Sequence, residues 1–326
     1  MAGERRASYA ISQWRAFRFA PQIVVILILA VLVPVMPTYV QSLATKILIF
    51  AVFAMSLDLL MGYAGILSLG HAAFFGLGGY AAGLLAVRLG IGNLWIGLLC
   101  GILLAALVSI LFGIITLQVR GIYCLLITFA LGQLLNSLAS KWRDVTGGDY
   151  GLYGIPVPTI GFVHFEWGTT SYYYFVLIVF VIAFFLLHRL VKSPFGKTLQ
   201  GIREGESRMA ALGYNTWLFK YVAYVVAGMF AGAAGVLSAY HNGIMVPSDL
   251  AVANSGLVML MTIAGGVGTI YGPVIGAALI IIIQYYAAII TPERWPLILG
   301  LAFVLTIMCS RAGIGAYLNS LWKRML

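Results

Sequence analysis

The chain has 326 residues, of which 62% are hydrophobic and 9% charged, and its mean hydropathy is +1.03. Soluble domains carry about a quarter charged residues, so composition excludes a water-facing globule and indicates an integral membrane protein. The net charge of +10 would raise nucleic acid as a partner of a soluble chain, but the excess of Lys and Arg on the inner side of membrane proteins accounts for it here, and no nucleic-acid partner is implied.

A crossing needs roughly 20 apolar residues, so the length admits about ten. Residues 1–20 precede the first apolar run. Ile11, Trp14, Phe17 and Phe19 alternate there with Arg15 and Arg18, which predicts a short cytoplasmic segment lying on the inner leaflet. Pro34 and Pro37 follow the run with no small-x-small cleavage site, so 21–38 reads as an uncleaved first span rather than a signal peptide. Further spans are expected at 45–61, 68–89, 94–116 and 121–139, then a polar loop at 140–170 and a sixth span at 171–190. A second polar loop, 191–217, separates these from spans at 218–240, 253–264, 274–290 and 296–310, with a cytoplasmic tail at 311–326. The expected fold is therefore an all-α integral membrane protein, a polytopic helical bundle of about ten transmembrane segments in one membrane domain, 21–310. The glycine-rich segments are open to being broken or re-entrant.

Orientation follows from counting charges. With both termini inside, 14 Lys and Arg residues fall inside, among them Arg120, Arg203, Arg208 and Lys220. Five fall outside: Lys46, Arg88, Lys141, Arg143 and Arg294. The bias has the sign of the positive-inside rule. Cys100, Cys124 and Cys309 each lie in an apolar run, so neither a disulfide framework nor a metal site is suggested.

The loop stretch 193–215, SPFGKTLQGIREGESRMAALGYN, is too charged to cross a bilayer. Leu199, Ile202, Met209 and Leu212 recur near helical spacing with charges between them, which predicts one short amphipathic helix stopped by Gly213 and Asn215. Such a helix either meets a soluble partner or merely connects two spans. Phe195-Gly-Lys-Thr198 resembles the end of a phosphate loop, but Val191 stands where the first glycine is required. The chain also lacks HExxH, a GxSxG elbow and facing carboxylates, so an enzyme has no support and ATP hydrolysis would need another subunit.

Within the expected spans one carboxylate occurs, Asp58. At a helix centre it costs about 2.5–3.5 kcal/mol, and each Leu or Ile returns roughly 0.3–0.6, so the run 47–60 still inserts. Asp58 is either a pathway residue or a hydrogen bonder between helices. The segment Gly62–Gly83 holds seven glycines, Ser68 and His71. Its glycines permit close helix packing, as in Gly79-x-x-x-Gly83, or an unwound backbone around a cavity. His71 is either a ligand or proton carrier, or a structural hydrogen bonder. A second glycine-rich stretch, 265–276, contains Gly272-x-x-x-Gly276, and the two stretches hint at an internal repeat.

Three blocks resemble the bacterial branched-chain amino acid ABC-transporter permeases of the LivM type: SLDLLMGYAGILSLGHAAFFGLGGYAAGLL from Ser56; LQVRGIYCLLITFALGQLL from Leu117 with TGGDYGLYGIP from Thr146; and the 193–215 stretch through GVLSAY to GGVGTIYGPVIGAAL. The resemblance covers about residues 45–290. It implies an importer subunit of the bacterial inner membrane that pairs with a second homologous permease, two cytoplasmic ATPases and an extracytoplasmic binding protein. ATP would be bound by the partners, and this chain would hold no cofactor. The family's ATPase-docking motif maps onto Arg203, Glu204, Gly205, Glu206, Arg208, Ala211 and Gly213, with charges giving specificity and the apolar stripe affinity. Asp58 stands where relatives often have Asn, and Ile66 where they often have Gln. The substrate class implied is a branched-chain or related small amino acid, with urea or short amides as the alternative. An ion-coupled secondary transporter is the rival from another class. Ser68, Thr128, Asn136 and Thr262 are pathway candidates by position, beside Asp58 and His71.

Overall fold

A computed structural model describes residues 29–160 apart from 32, together with 163–164, 170–290 and single helical positions at 297, 300, 301, 304 and 308. Half of the first expected span and about two thirds of the tenth lie outside the described residues, as do the expected cytoplasmic segments 1–20 and 311–326. Six described helices are long and apolar enough to cross a membrane. Among the described residues the regular structure is helical apart from four two-residue strands.

Helix α1, Thr38–Asp58, starts directly after Pro37 and widens into a π-helical turn over Leu59–Ala64. The chain then runs without helix from Gly65 to Gly70 before α2, His71–Arg88. The expected third span therefore begins later than position 68, and Ser68 and Leu69 belong to the break. A Ser56–His71 hydrogen bond sets the start of α2 level with Ser56, eight residues or roughly 12 Å before the end of the α1 π turn. The connection thus turns back into the protein. Helices α3, Leu94–Thr116, and α4, Ile122–Lys141, follow, then a loop with a helical turn at Arg143–Thr146. Helix α5 is Thr170–Lys192.

The polar loop forms two helices, not one: α6, Pro194–Glu204, and α7, Glu206–Ala211, separated by an extended Gly205. Proline at the first helical position suits α6, since that N–H has no intrahelical acceptor. Asn215, expected to stop the loop helix, instead starts the next one: its side chain accepts from Leu218 N at 3.2 Å and caps α8, Thr216–Asn242.

Ile244–Met245 pairs antiparallel with Leu152–Tyr153 at the far end of the bundle, where Arg88 also donates to the carbonyls of Asp144 and Val145. From there Pro247–Leu250 forms a 3-10 turn packed on α2 and α4. Helix α9, Val252–Gly265, has 14 residues, about 21 Å, and is too short to cross alone. A tight turn leads to α10, Tyr271–Ile290.

Helix α8 forms the centre and packs most extensively on α2 and α3. Small residues permit this. A side chain at Gly235 would strike the carbonyl of Phe75 on α2, and one at Gly78 would strike the carbonyl of Gly232. Helix α1 packs on α8 and also on α5, α9 and α10, completing the core.

Candidate functional site

The polar groups gather in two places: the end of the bundle that carries α6 and α7, and the break between α1 and α2.

At the first, Leu199 and Ile202 are buried against the chain's own helices. The apolar stripe expected to face a partner is thus split. Its first half is used internally, and only Leu212 at its end is strongly exposed, at 72%. Arg203, also expected on the docking face, is exposed and at the same time donates from Nη1 to the carbonyl of Gly62 in the π turn of α1. Glu204 and Arg208 remain exposed, and Arg208 Nη2 donates to the Glu204 carbonyl at 3.0 Å. Glu206 is held within the chain. Its carboxylate meets Lys220 Nζ at 2.9 Å and Arg120 Nε at 3.7 Å, and accepts from Thr216 Oγ1 at 3.3 Å. Burial pushes the Glu206 carboxyl up. The hydrogen bond and charge of Lys220, the charge of Arg120 and the Thr216 hydroxyl outweigh it and hold the group below its ordinary value. Gly205 separates these two attachments. Gly213 takes a φ of +88° in the following turn, and Ala211 is exposed at the end of α7.

Asp58 lies beside the Arg203 contact. It is buried, and its Oδ1 accepts from the backbone N–H of Gly268 at 2.8 Å. Gly268 sits in the α9–α10 turn at a φ of +80°. Asp58 Oδ2 is buried without a hydrogen-bond partner. A side chain at Gly62 would strike both Asp58 Oδ1 and Gly268 N, so glycine is required where the two turns touch.

The second gathering surrounds Gly65–Gly70. His71 Nε2 is 2.8 Å from Ser56 Oγ, and its ring stacks on Phe53 at 5.4 Å between centroids. Leu69 N donates to Thr128 Oγ1 at 3.2 Å, and Ala72 N donates to Ser255 Oγ at 2.9 Å. The Ser68 hydroxyl and His71 Nδ1 are buried without hydrogen-bond partners. Thr128 is thus bonded to the break that holds Ser68, and His71 begins the helix that follows it. Thr262 does not join them: it donates to the carbonyls of Val258, at 2.9 Å, and Ala54, at 3.3 Å. Asn136 is half-buried on α4, eight residues beyond Thr128. Asp58 belongs to the α6 end.

Ser56, Ser255 and Gly268 were missed from sequence. Ser56 carried a signal, being a polar residue two positions before Asp58 in an apolar run. Ser255 is 183 residues from Ala72 and Gly268 is 210 from Asp58, and no local pattern joins such positions.

The chain was compared with known proteins. The family described as "Branched-chain amino acid transport system / permease component" matches residues 39–308. The high-affinity branched-chain amino acid transport system permease protein LivM of Escherichia coli (strain K12) is 29% identical over 283 residues, 80% of this chain and 66% of that protein. The Salmonella typhimurium protein of the same name is 28% identical over 74% of this chain and 62% of its own length. A probable branched-chain amino acid transport permease protein LivM of Methanocaldococcus jannaschii is 24% identical over 72% of this chain and 77% of its own. The chain thus spans just under two thirds of the two bacterial relatives. No solved structure matches it. With residues 39–308 covered by the family and six described helices long and apolar enough to cross a membrane, the chain belongs to the branched-chain amino acid transport system permease components.

Proposed function

We propose that this chain is a permease subunit of an ATP-driven importer, forming part of the pathway for branched-chain or related small amino acids across the bacterial inner membrane. The observation that carries the reading is the family match over 39–308, with LivM proteins among the relatives. The partners are a second homologous permease, two cytoplasmic ATPases that bind the nucleotide, and an extracytoplasmic substrate-binding protein. The full fold has about ten crossings with both termini inside, the first and last lying partly outside the described residues. The α6–α7 end faces the cytoplasm. Arg120, Arg203, Arg208 and Lys220 support this orientation by gathering there with α6 and α7, as the positive-inside rule expects.

The ATPases dock on the exposed surface of α6, α7 and the turn after them, with Glu204, Arg208, Ala211 and Leu212 at its centre. Glu206 and the glycines position that surface. The buried hydroxyls and imidazole at the α1–α2 break, Ser68, Thr128 and His71, are the polar groups nearest an unwound backbone. Polar groups at such breaks bind substrates in other helical transporters.

The test is uptake into proteoliposomes containing this chain, its neighbouring permease, the ATPases and the binding protein. Labelled leucine should accumulate only with both ATP and the binding protein. ATP-dependent uptake of labelled urea without leucine would replace the substrate and keep the class. Uptake by this chain alone on an ion gradient would overturn the class. Among the described residues Asp58 is the only carboxylate within a crossing helix, which leaves little for ion coupling to act on.

A further inference from the structure

Three elements converge at Asp58: the π turn of α1, the α9–α10 turn and α6. Each arrives with an unmet need. The π turn leaves the Gly62 carbonyl without its usual helical donor, as ends of helices do, and Arg203 of α6 supplies one. A cation at this place also opposes the negative end of the α1 dipole. The α9–α10 turn exposes the N–H of Gly268, and the Asp58 carboxylate accepts it. The Arg203 side chain passes close over both turns. Atoms added at Gly65 and Gly268 would lie 3.1 Å from its Cγ and 3.2 Å from its Nη1. Asp58 therefore ties α1 to α9 and α10, and Arg203 ties that pair to α6. On the other side of Gly205, Glu206 ties α7 to Arg120 before α4 and to Lys220 of α8. The loop grips the bundle at two separate points, one on each side of its break.

We propose that Asp58 and Arg203 form a joint that makes the α1 and α9–α10 turns move with α6. They are positioning residues for transport and contact neither substrate nor nucleotide. When an ATPase displaces α6, the guanidinium carries the end of α1 with it, and the carboxylate carries the α9–α10 turn. This rests on the reading that ATPases act on α6 and α7. The joint itself is read from the contacts of this chain.

The experiment uses the whole transporter in proteoliposomes. Arg203→Ala, Arg203→Lys and Asp58→Asn are compared with the parent for three quantities: ATPase capture, ATP hydrolysis, and substrate carried per ATP. Arg203→Ala should capture the ATPases and hydrolyse within about twofold of the parent, while transport per ATP falls at least about tenfold. Arg203→Lys, which keeps the cation, should recover much of the loss. Asp58→Asn keeps an acceptor for Gly268 and gives up the carboxyl group, so it should fall between them. As a second readout, Val267→Cys in a chain freed of Cys100, Cys124 and Cys309 is labelled with a membrane-impermeant maleimide. Its labelling rate should change with ATP in the parent and become insensitive to ATP with Arg203→Ala. Unchanged transport per ATP, or nucleotide-dependent labelling that survives Arg203→Ala, would overturn the joint. So would labelling in the parent that ignores ATP. Failure of the parent to capture ATPases at all would instead overturn the docking reading.

Discussion

Helices α3 and α8 pack side by side, yet they are built on opposite plans. Helix α3 is the more hydrophobic and the more exposed: 22% of its apolar window is buried, against 72% for α8. Leu99, Leu103, Leu107, Leu111 and Ile114 of α3 face outward, while Gly97, Gly101, Ala105, Ser109 and Gly113 form its buried face at strict four-residue spacing. Helix α8 answers with Gly228, Gly232, Val236 and Tyr240 against those positions. In water the large apolar side chains would be inside. In lipid the tails solvate leucine as well as another helix does, so burial no longer sorts residues by hydrophobicity. Close approach and dispersion do.

Substitutions break or sharpen this contrast. The largest effect is expected from Gly235→Val on the inner helix, because its side chain meets the Phe75 carbonyl and neither backbone can retreat. A loss of about 3 kcal/mol is expected, read as a collapse of the monodisperse peak in detergent or of the unfolding midpoint. Ala105→Leu fills the small face of α3 against Gly232 and should cost about 2 kcal/mol by the same measurement. At the polar end, Glu206→Gln should cost about 1 kcal/mol or less, as for partly exposed ion pairs. Its sign with pH is fixed: the folded carboxyl titrates below its ordinary value of 4.5. Its stabilisation is thus present above that value and lost as pH falls through the lowered one. Hydrogen exchange in α7 should accelerate over that descent in the parent and show no such dependence in the Gln variant. The smallest effect is expected from Leu107→Ala on the outer face of α3, within about 0.5 kcal/mol. A large loss there would show that this face is covered by protein.

Much of the fold was legible in the sequence because hydropathy reports crossings directly. The expected spans at 94–116 and 274–290 agree with α3 and α10 within a few residues, and 253–264 matches the bounds of α9, which is too short to cross alone. The small-residue face of α3 is equally legible, as Gly97, Gly101, Ala105, Ser109 and Gly113 recur every four residues in an otherwise large-residue run. The split at Gly205 was not legible: Leu199, Ile202, Met209 and Leu212 keep helical spacing across it, and only packing shows that the first two face inward. The internal half of the α6 site was hidden for a different reason. Arg203 meets the Gly62 carbonyl from 141 residues away and the Gly268 N–H meets Asp58 from 210, and in each pair one side is a backbone group, which carries no sequence signature. Glu206 looked like a docking charge because Lys220 and Arg120 lie in other segments.

The most direct test of the account is ATPase capture by a permease with reversed charges on the exposed face of the loop, Glu204→Lys with Arg208→Glu. These residues make no ion pair within the chain among the described residues, so stability and membrane insertion should be unchanged. The account predicts that the ATPases no longer co-purify with the doubly reversed permease and that ATP-driven leucine uptake is lost. Full capture with undiminished uptake would contradict it.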